Sequence, residues 1–259
     1  MEDLYNNLIR PIQQDELATK ARSILRRVRM LPVVDSKGKL VGVVYRRSLI
    51  GTVSTRSALL VRNIMEPVKV VTYPFEEAEV AVKNMLRVDE WYAPVVVSPT
   101  DYTYLGLFGL EHIMEEYLKK GGPKLNTALK EIMTREVETV KYDEPITKIW
   151  RKMTEKSYSG IPVVDEKGRL VGLVTMLDLL MSRAPGLHRI LGRIRVSQAP
   201  EVSRIMNRNV IVAKPYTTVG EAAHYMLALE IGRLPIVDDE GVLVGIVDRE
   251  DIVRYLVGV

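Results

Sequence analysis

The sequence contains no cysteine, which excludes disulfides, thiolate nucleophiles and every cysteine-ligated metal site. Its three histidines, His112, His188 and His224, lie far apart and none has the spacing of a metal ligand, so we expect no metal site. Phenylalanine and tryptophan occur only twice each, too few for a base-stacking nucleic-acid platform. Valine, isoleucine and leucine must therefore build the core.

Long apolar runs are absent as well, and none approaches the ~18 residues that a membrane span requires. The N-terminal residues are acidic and polar rather than signal-like, so the sequence predicts a cytoplasmic protein with no membrane partner. With 47% apolar and 27% charged residues in a chain of 259, we expect one or two folded domains. The net charge of +4 is compatible with anionic partners but does not require nucleic acid.

What the chain does contain is an internal repeat. A hydrophobic-Pro-Val-Val-Asp block occurs at 31–35, 161–165 and, with isoleucine for one valine, at 234–238, and a weaker copy occurs at 93–97. A glycine follows the block proline at the same distance in three copies and slightly later in the weaker one. An Ile-Met pair precedes three of the prolines, always at the separation of Met65 from Pro94. Equal spacing in separate copies indicates one structural unit used four times.

Within a unit the pattern predicts a strand, a helix, two strands joined by a glycine turn, and a second helix, which is an α/β (α+β) fold. The predicted repeats 1 to 4 span 1–57, 58–121, 126–184 and 200–259. A small sheet with one apolar face cannot bury that face alone, so the repeats should pair. We call repeats 1 and 2 module I and repeats 3 and 4 module II, with the boundary at the Gly-Pro stretch near 119–124.

These blocks, together with Gly-Leu-Val-Thr-Met-Leu-Asp at 172–178, resemble the CBS domain, two of which pair into a Bateman module. The four-repeat layout is similar to that of the γ subunit of AMP-activated protein kinase. The resemblance implies a regulatory protein rather than an enzyme, without a cofactor. It would bind AMP, ADP, ATP or another adenosyl ligand between repeats and signal to a partner protein. The resemblance also leaves a homodimer through CBS modules open.

The third-repeat cleft, named for Thr175 and Asp178, matches the family's ligand motif in full. A carboxylate can accept hydrogen bonds from both ribose hydroxyls, and a threonine hydroxyl at a helix start can meet phosphate. The same Thr-x-x-Asp pattern is also typical of a helix capping box. By position in the family, this pair would face Asn209, Val210 and Ile211, and the last two would offer apolar surface and backbone groups to the base. Arg233 would offer a guanidinium to phosphate there, or be a solvated surface arginine.

The fourth-repeat cleft, named for Asp248 and Asp251, departs from the motif. Asp251 keeps the ribose-binding position, but Asp248 replaces the hydroxyl residue and would repel a phosphate. We therefore expect this cleft to prefer a nucleoside or weakly charged ligand, or to stay empty. The residues carried over to face it are Val137, Glu138, Tyr158 and Gly160.

Module I lacks the carboxylates, with Tyr45 and Ser48 at the equivalent positions of repeat 1 and Gly109 and His112 in repeat 2. We therefore expect module I to be mainly structural. A basic run that ends at Arg29 is most simply a solvated helix face. Two other functions remain open. One is a nucleic-acid-associated regulator that uses the basic connector 188–195, and the other is a scaffold with vestigial clefts.

Overall fold

The computed structural model describes residues 9–49, 58–182 and 199–259. In chain order the strands are β1 (Ile12–Gln13), β2 (Met30–Val34), β3 (Leu40–Tyr45), β4 (Tyr92–Val96), β5 (Tyr104–Gly109), β6 (Val140–Lys141), β7 (Gly160–Val164), β8 (Leu170–Thr175), β9 (Arg233–Val237) and β10 (Leu243–Asp248). The helices are α1 (Ala18–Ile24), α2 (Arg46–Leu49), α3 (Ala78–Arg87), α4 (Leu110–Lys120), α5 (Ile146–Glu155), α6 (Met176–Met181), α7 (Val219–Ala228) and α8 (Arg249–Val257).

Every repeat is built around one antiparallel hairpin: β2–β3, β4–β5, β7–β8 and β9–β10. A leading segment pairs in parallel with the first hairpin strand, as β1 with β2, β6 with β7, and single bridges Thr72–Val95 and Ala213–Ile236. The β7–β8 turn needs Gly168, whose φ of +77° is a conformation that few other residues adopt. The strand, helix, hairpin and helix order confirms the predicted α/β class.

The hairpins of each module meet at their edges. In module I, the Leu40 amide donates to the Tyr102 carbonyl at 2.8 Å. In module II, the Leu170 amide donates to the Gly241 carbonyl at 3.1 Å, and the Leu243 amide donates to the Gly168 carbonyl at 3.1 Å. These bonds satisfy edge groups that would otherwise be open to pairing with another chain.

The regularly spaced methionines pack on the other repeat of their module. Each lies against a hairpin glycine, where a Cβ would come within 2.9 Å of the sulfur for Gly42, 2.7 Å for Gly172 and 2.5 Å for Gly245. The three contacts are Met65 on Gly42, Met206 on Gly172 and Met133 on Gly245. The glycines are therefore required by the close approach of the partner side chain, which explains two of the repeat's sequence features together.

The helices form two cores that run across the modules. The first core combines repeats 1 and 3 and contains Leu25, Leu49, Ile149 and Leu179. The second combines repeats 2 and 4 and contains Phe108, Ile113, Met226 and Ile252. Each apolar helix face is thus buried within the chain by a face of the other module.

The segments that lead into repeats 2, 3 and 4 pack away from the repeat that they precede. Val61 lies in the core of repeats 1 and 3, Leu129 in that of repeats 2 and 4, and Val202 in that of repeats 1 and 3. The repeat boundaries at 58, 126 and 200 stay predictions, because these entry segments cross between units. Within the described ranges, no helix has the length and apolar character needed to cross a bilayer.

Candidate ligand clefts

Thr175 and Asp178 form the capping box of α6. The Thr175 hydroxyl and amide both donate to Asp178 Oδ2, at 2.6 and 2.7 Å, and the Asp178 amide donates to the Thr175 hydroxyl at 3.3 Å. The capping interpretation of this motif is therefore correct. It is compatible with ligand binding, because both bonds to the carboxylate use the same oxygen.

The third-repeat cleft receives positive charge from module I. Arg46 is largely buried, and its Nε donates to the Leu25 carbonyl at 2.9 Å. Burial and the nearby Arg29 lower the pKa of Arg46 to about 10, while the carboxylate of Asp178 acts in the opposite direction. Arg46 thus belongs to the electrostatic environment of Asp178, although it comes two repeats earlier in the sequence. No local motif marked it.

Arg233 lies between the two clefts of module II. Its Nη1 donates to the Gly160 carbonyl at 2.6 Å, and its Nη2 donates to the Ser159 hydroxyl. Burial lowers the pKa of Arg233, and the charges of Asp248 and Asp251 oppose that shift. The alternative of a solvated surface arginine is wrong for this residue.

The strand register explains how one side chain reaches both sites. Gly160 is the cross-strand partner of Thr175, and Arg233 is the cross-strand partner of Asp248. The bond between Arg233 and Gly160 therefore joins the strand ends from which α6 and α8 begin.

Asp248 and Asp251 form a second capping box, at the start of α8. The amides of Glu250 and Asp251 donate to Asp248 Oδ1 at 2.9 and 3.1 Å, and the Asp248 amide donates to Asp251 Oδ2 at 2.8 Å. Burial, followed by the charge of Asp248, raises the pKa of Asp251 to about 7. Burial also raises the pKa of Asp248, with Arg233 opposing. A phosphate would meet two acidic groups here, as the sequence predicts.

Module I fills the equivalent space with its own side chains. Where module II has the pairs Gly160–Thr175 and Arg233–Asp248, module I has Met30–Tyr45 and Tyr92–Gly109. Met30 and Tyr45 are buried in a small cluster with Leu107, and Tyr92 packs against it.

Polar contacts also hold the side chains that fill this part of module I. The Tyr45 hydroxyl donates to the buried Glu90 Oε1 at 2.9 Å, and the Arg47 guanidinium lies 3.8 Å from the centre of the Tyr45 ring. In repeat 2, His112 Nδ1 accepts from the Gly109 amide at 2.9 Å and takes the capping role. Met30, Tyr45 and Tyr92 thus occupy the positions that Gly160, Thr175 and Arg233 have in module II.

Within the described ranges, no hydrogen bond or ion pair joins five of the remaining predicted residues to Thr175, Asp178, Asp248 or Asp251. Glu138 binds Lys152 and Lys156 at 2.5 and 2.8 Å, and these bonds, the one from Lys152 first, lower its pKa to about 2. Glu138 is therefore held by its own repeat. The other four range from half-buried to exposed: Val137, Tyr158 (38% exposed), Asn209 and Ile211 (44% exposed).

Val210 is the predicted base-contacting residue that lines a pocket. The pocket has a volume of about 200 Å³ and lies between β8 and the leading segment of repeat 4. Its lining consists of Leu170, Val171, Gly172, Arg208, Val210, Val212, Val237 and Gly241. Because β8 ends at Thr175, the pocket and the capping box lie along one strand.

The centre of the molecule contains residues that the sequence patterns missed. Arg29 lies 5.7 Å from the centre of the Trp91 ring and donates to the Glu230 carbonyl at 3.4 Å. A Cβ on Gly232 would come within 2.9 Å of Trp91 and 3.0 Å of Arg29. The interpretation of Arg29 as part of a solvated helix face is wrong, because it contacts repeats 2 and 4. The connector 188–195 lies outside the described residues.

The part of the chain that the structure describes contains no cluster of three or more potential metal ligands. The model of the CBS domain matches residues 9–55, 129–184 and 202–258, more than half of the chain. The chain therefore belongs to the CBS-domain family. The second repeat, which that model does not match, forms the same type of hairpin and helices.

A four-repeat layout is shared with a solved archaeal protein. The crystal structure of MJ1225 from Methanocaldococcus jannaschii, described as a candidate archaeal homologue of γ-AMPK, superposes with a TM-score of 0.84 at 25% identity. The superposition covers 98% of each chain. In sequence, MJ1225 is 28% identical over 198 residues, which are 75% of this chain and 69% of MJ1225.

Two further matches show how far the comparison with known proteins extends. An uncharacterized conserved protein from Pyrococcus horikoshii has a TM-score of 0.67 at 24% identity over 99% of both chains, which shows the fold alone. Homoserine O-acetyltransferase of Methanococcoides burtonii is 34% identical over 131 residues, or 51% of this chain. That match spans only 24% of the enzyme, so its activity is not carried over.

Proposed function

We propose that this chain is a regulatory protein that binds an adenine nucleotide, or another adenosyl ligand, in the clefts of module II. The observation that carries the proposal is the difference between the modules at equivalent positions. Module I places Met30, Tyr45 and Tyr92 where module II places Gly160, Thr175 and Arg233. Space and charge for a ligand are thus concentrated in one module.

The third-repeat cleft fits a phosphorylated nucleotide better than the fourth. Both bonds that Thr175 donates to Asp178 go to Oδ2, which leaves Oδ1 for a ribose hydroxyl. Arg46 and Arg233 supply positive charge in the same region, and guanidinium groups suit phosphate. The apolar pocket at Val210 suits a base.

The fourth-repeat cleft favours an adenosine derivative without phosphate. Burial raises the pKa of both Asp248 and Asp251, and the charge of Asp248 raises that of Asp251 further, although Arg233 and Arg254 oppose these shifts. An added phosphate would increase this repulsion. A neutral ribose would instead offer hydroxyl donors to either carboxylate.

The output we propose is a change in the relative position of two repeats, read by a partner protein in the cytoplasm rather than by catalysis in this chain. A ligand shifts such an equilibrium only by its different affinity for the two arrangements. The two capping boxes lie at the starts of α6 and α8, and both helices belong to the cores shared with module I. Ligand occupancy would therefore be sensed by both modules.

The test is a thermal-shift and calorimetric screen with AMP, ADP, ATP, S-adenosylmethionine and NAD. We expect binding that falls about 10- to 100-fold in the Asp178→Ala, Asp251→Ala double variant, because a hydrogen bond to a charged group is lost in each cleft. Ser48→Ala, at the position equivalent to Asp178 in repeat 1, is the matched control and should keep full affinity. Undiminished binding in the double variant would contradict the proposal, and no binding of any compound would favour the scaffold.

A further inference from the structure

The first turn of α8 contributes both to the fourth-repeat cleft and to the contact with module I. Asp248 and Asp251 belong to the fourth-repeat cleft, whereas Arg249 and Glu250, between them in sequence, contact repeat 2 of module I. A single helical turn therefore carries the acidic pair and the contacts to the other module. The two parts of the turn are coupled, because the amides of Glu250 and Asp251 both donate to Asp248 Oδ1.

Arg249 is held firmly from both sides. The residue is 5% exposed, and its Nε and Nη2 donate to the carbonyls of Ile231 and Met226, each at 3.1 Å. Its Nη1 donates to Glu111 Oε2 of repeat 2 at 3.1 Å. A buried guanidinium without its carboxylate partner is strongly unfavourable, so Glu111 fixes where Arg249 lies.

Glu250 makes the second contact between this turn and module I. The Trp91 indole Nε1 donates to Glu250 Oε2 at 3.3 Å, and Arg254 holds the other oxygen at 2.7 Å. The ring of Trp91 is in turn covered by Arg29 of repeat 1. The turn is thus bonded to repeat 2 at two successive residues.

Gly109 also serves this contact. It occupies the position where the family motif has threonine, and a Cβ there would lie 2.6 Å from both carboxylate oxygens of Glu111. The departure of repeat 2 from the motif gives the Glu111 carboxylate room to lie over the Gly109 backbone. An alanine at 109 would displace Glu111 without changing any charge, since the extended backbone there, with φ of −133°, suits alanine.

The equivalent turn of α6 has apolar residues at the two positions where α8 has Arg249 and Glu250. The residues that follow Thr175 are Met176 and Leu177, which are apolar, cannot form ion pairs and have no side-chain hydrogen-bond donor. The third-repeat cleft is therefore an internal control within the same molecule.

From these contacts we propose that Glu111 and Trp91 of module I are positioning residues for the fourth-repeat cleft, acting through Arg249 and Glu250. The inference rests on the proposed function, because it assigns residues that prepare one of its two ligand sites. Module I, although its own clefts are filled, then determines how well module II binds.

The test uses Glu111→Gln, Gly109→Ala and Trp91→Phe in two single-cleft backgrounds. Asp178→Ala leaves the fourth-repeat cleft to be titrated, and Asp251→Ala leaves the third. With adenosine as the calorimetric probe, we expect each variant to weaken the fourth-repeat cleft about three- to tenfold and the third by less than about twofold. Equal losses in both clefts, or no loss in either, would overturn the proposal, because general destabilisation would affect both clefts alike.

A second measurement needs no ligand. Amide hydrogen exchange of Glu250 and Asp251, whose amides bond to Asp248, should become faster in the three variants, while the Asp178 amide in α6 keeps its rate. Faster exchange together with no adenosine binding in any background would contradict the proposed function and leave the positioning role supported. Unchanged exchange at Glu250 and Asp251 would overturn the positioning role itself.

Discussion

The guanidinium of Arg233 donates a 2.6 Å hydrogen bond to the carbonyl oxygen of Gly160, and this bond joins the two repeats of module II where their clefts meet. The same arginine is the cross-strand neighbour of Asp248. One positive charge therefore serves an acidic pair in its own repeat and the strand end beside Thr175 in the other. The two clefts therefore share one residue.

Arg233→Met keeps most of the aliphatic stem and removes the charge. We expect the affinity of the third-repeat cleft for AMP to fall about tenfold, because a charge-assisted bond to phosphate is lost. The affinity for adenosine should change by about twofold or less. Calorimetry of both compounds in the Asp251→Ala background measures the difference, with Arg151→Met on α5 as the control. Equal losses for AMP and adenosine would show that Arg233 only braces the strands.

The raised pKa of Asp251, about 7, makes stability depend on pH. Between about pH 4 and 7 the folded state holds a proton at this carboxyl that the unfolded state has released, so the free energy of unfolding falls as the pH rises. Asp251→Asn keeps an oxygen to accept the Asp248 amide and removes the titration. We expect the variant to gain stability over the unsubstituted protein across this window, by on the order of 1 kcal/mol or more at pH 7.

Urea unfolding at a series of pH values measures this effect. Asp165→Asn is a control with the opposite sign, because backbone bonds from Arg169 and Lys167 and the Arg169 side chain lower the pKa of Asp165. Its loss of stability should appear above about pH 4, where the unfolded carboxyl is ionised. Identical pH slopes for the Asp251 variant and the unsubstituted protein would rule out the titration.

Gly172→Ala places a methyl group against the sulfur of Met206, which lies 2.7 Å from the Cβ position. We expect a loss of about 1–3 kcal/mol in the free energy of unfolding, as is usual for an overfilled contact. Met206→Ala alone should also destabilise, because it removes a buried side chain. The double variant should lose less than the sum of the two, because the shortened side chain makes room for the new methyl. Additive losses in this double-mutant cycle would contradict the contact.

Local sequence patterns predicted the parts of the fold that neighbouring residues determine. The β-branched blocks and glycine turns gave the hairpins, and Thr-x-x-Asp gave the cap of α6. The spacing of the Ile-Met pairs identified a repeat but not the partner of the methionines. Their contacts cross from one repeat to another, and a pattern read along the chain does not show which surfaces meet.

The same distinction between local features and contacts between repeats applies to the candidate site. Asp178 and Asp251 were identified by position in a motif, and the cap that holds Asp178 was predicted. Arg46, Arg29 and Trp91 were missed because their roles depend on how module I docks on module II. Arg29 looked like one member of a solvated basic run, since only the folded chain places it between Trp91 and Gly232.

Met65, Met133 and Met206, which pack on the other repeat of their module, also affect the order in which the contacts between repeats can form. The stretches of chain from Gly42 to Met65 and from Gly172 to Met206 are short, whereas the stretch from Met133 to Gly245 is several times longer. Longer loops cost more entropy to close, so the contact between Met133 and Gly245 should form latest. On the ribosome, the contact of Met133 could form only after the β9–β10 hairpin had emerged, so module II would be completed later than module I.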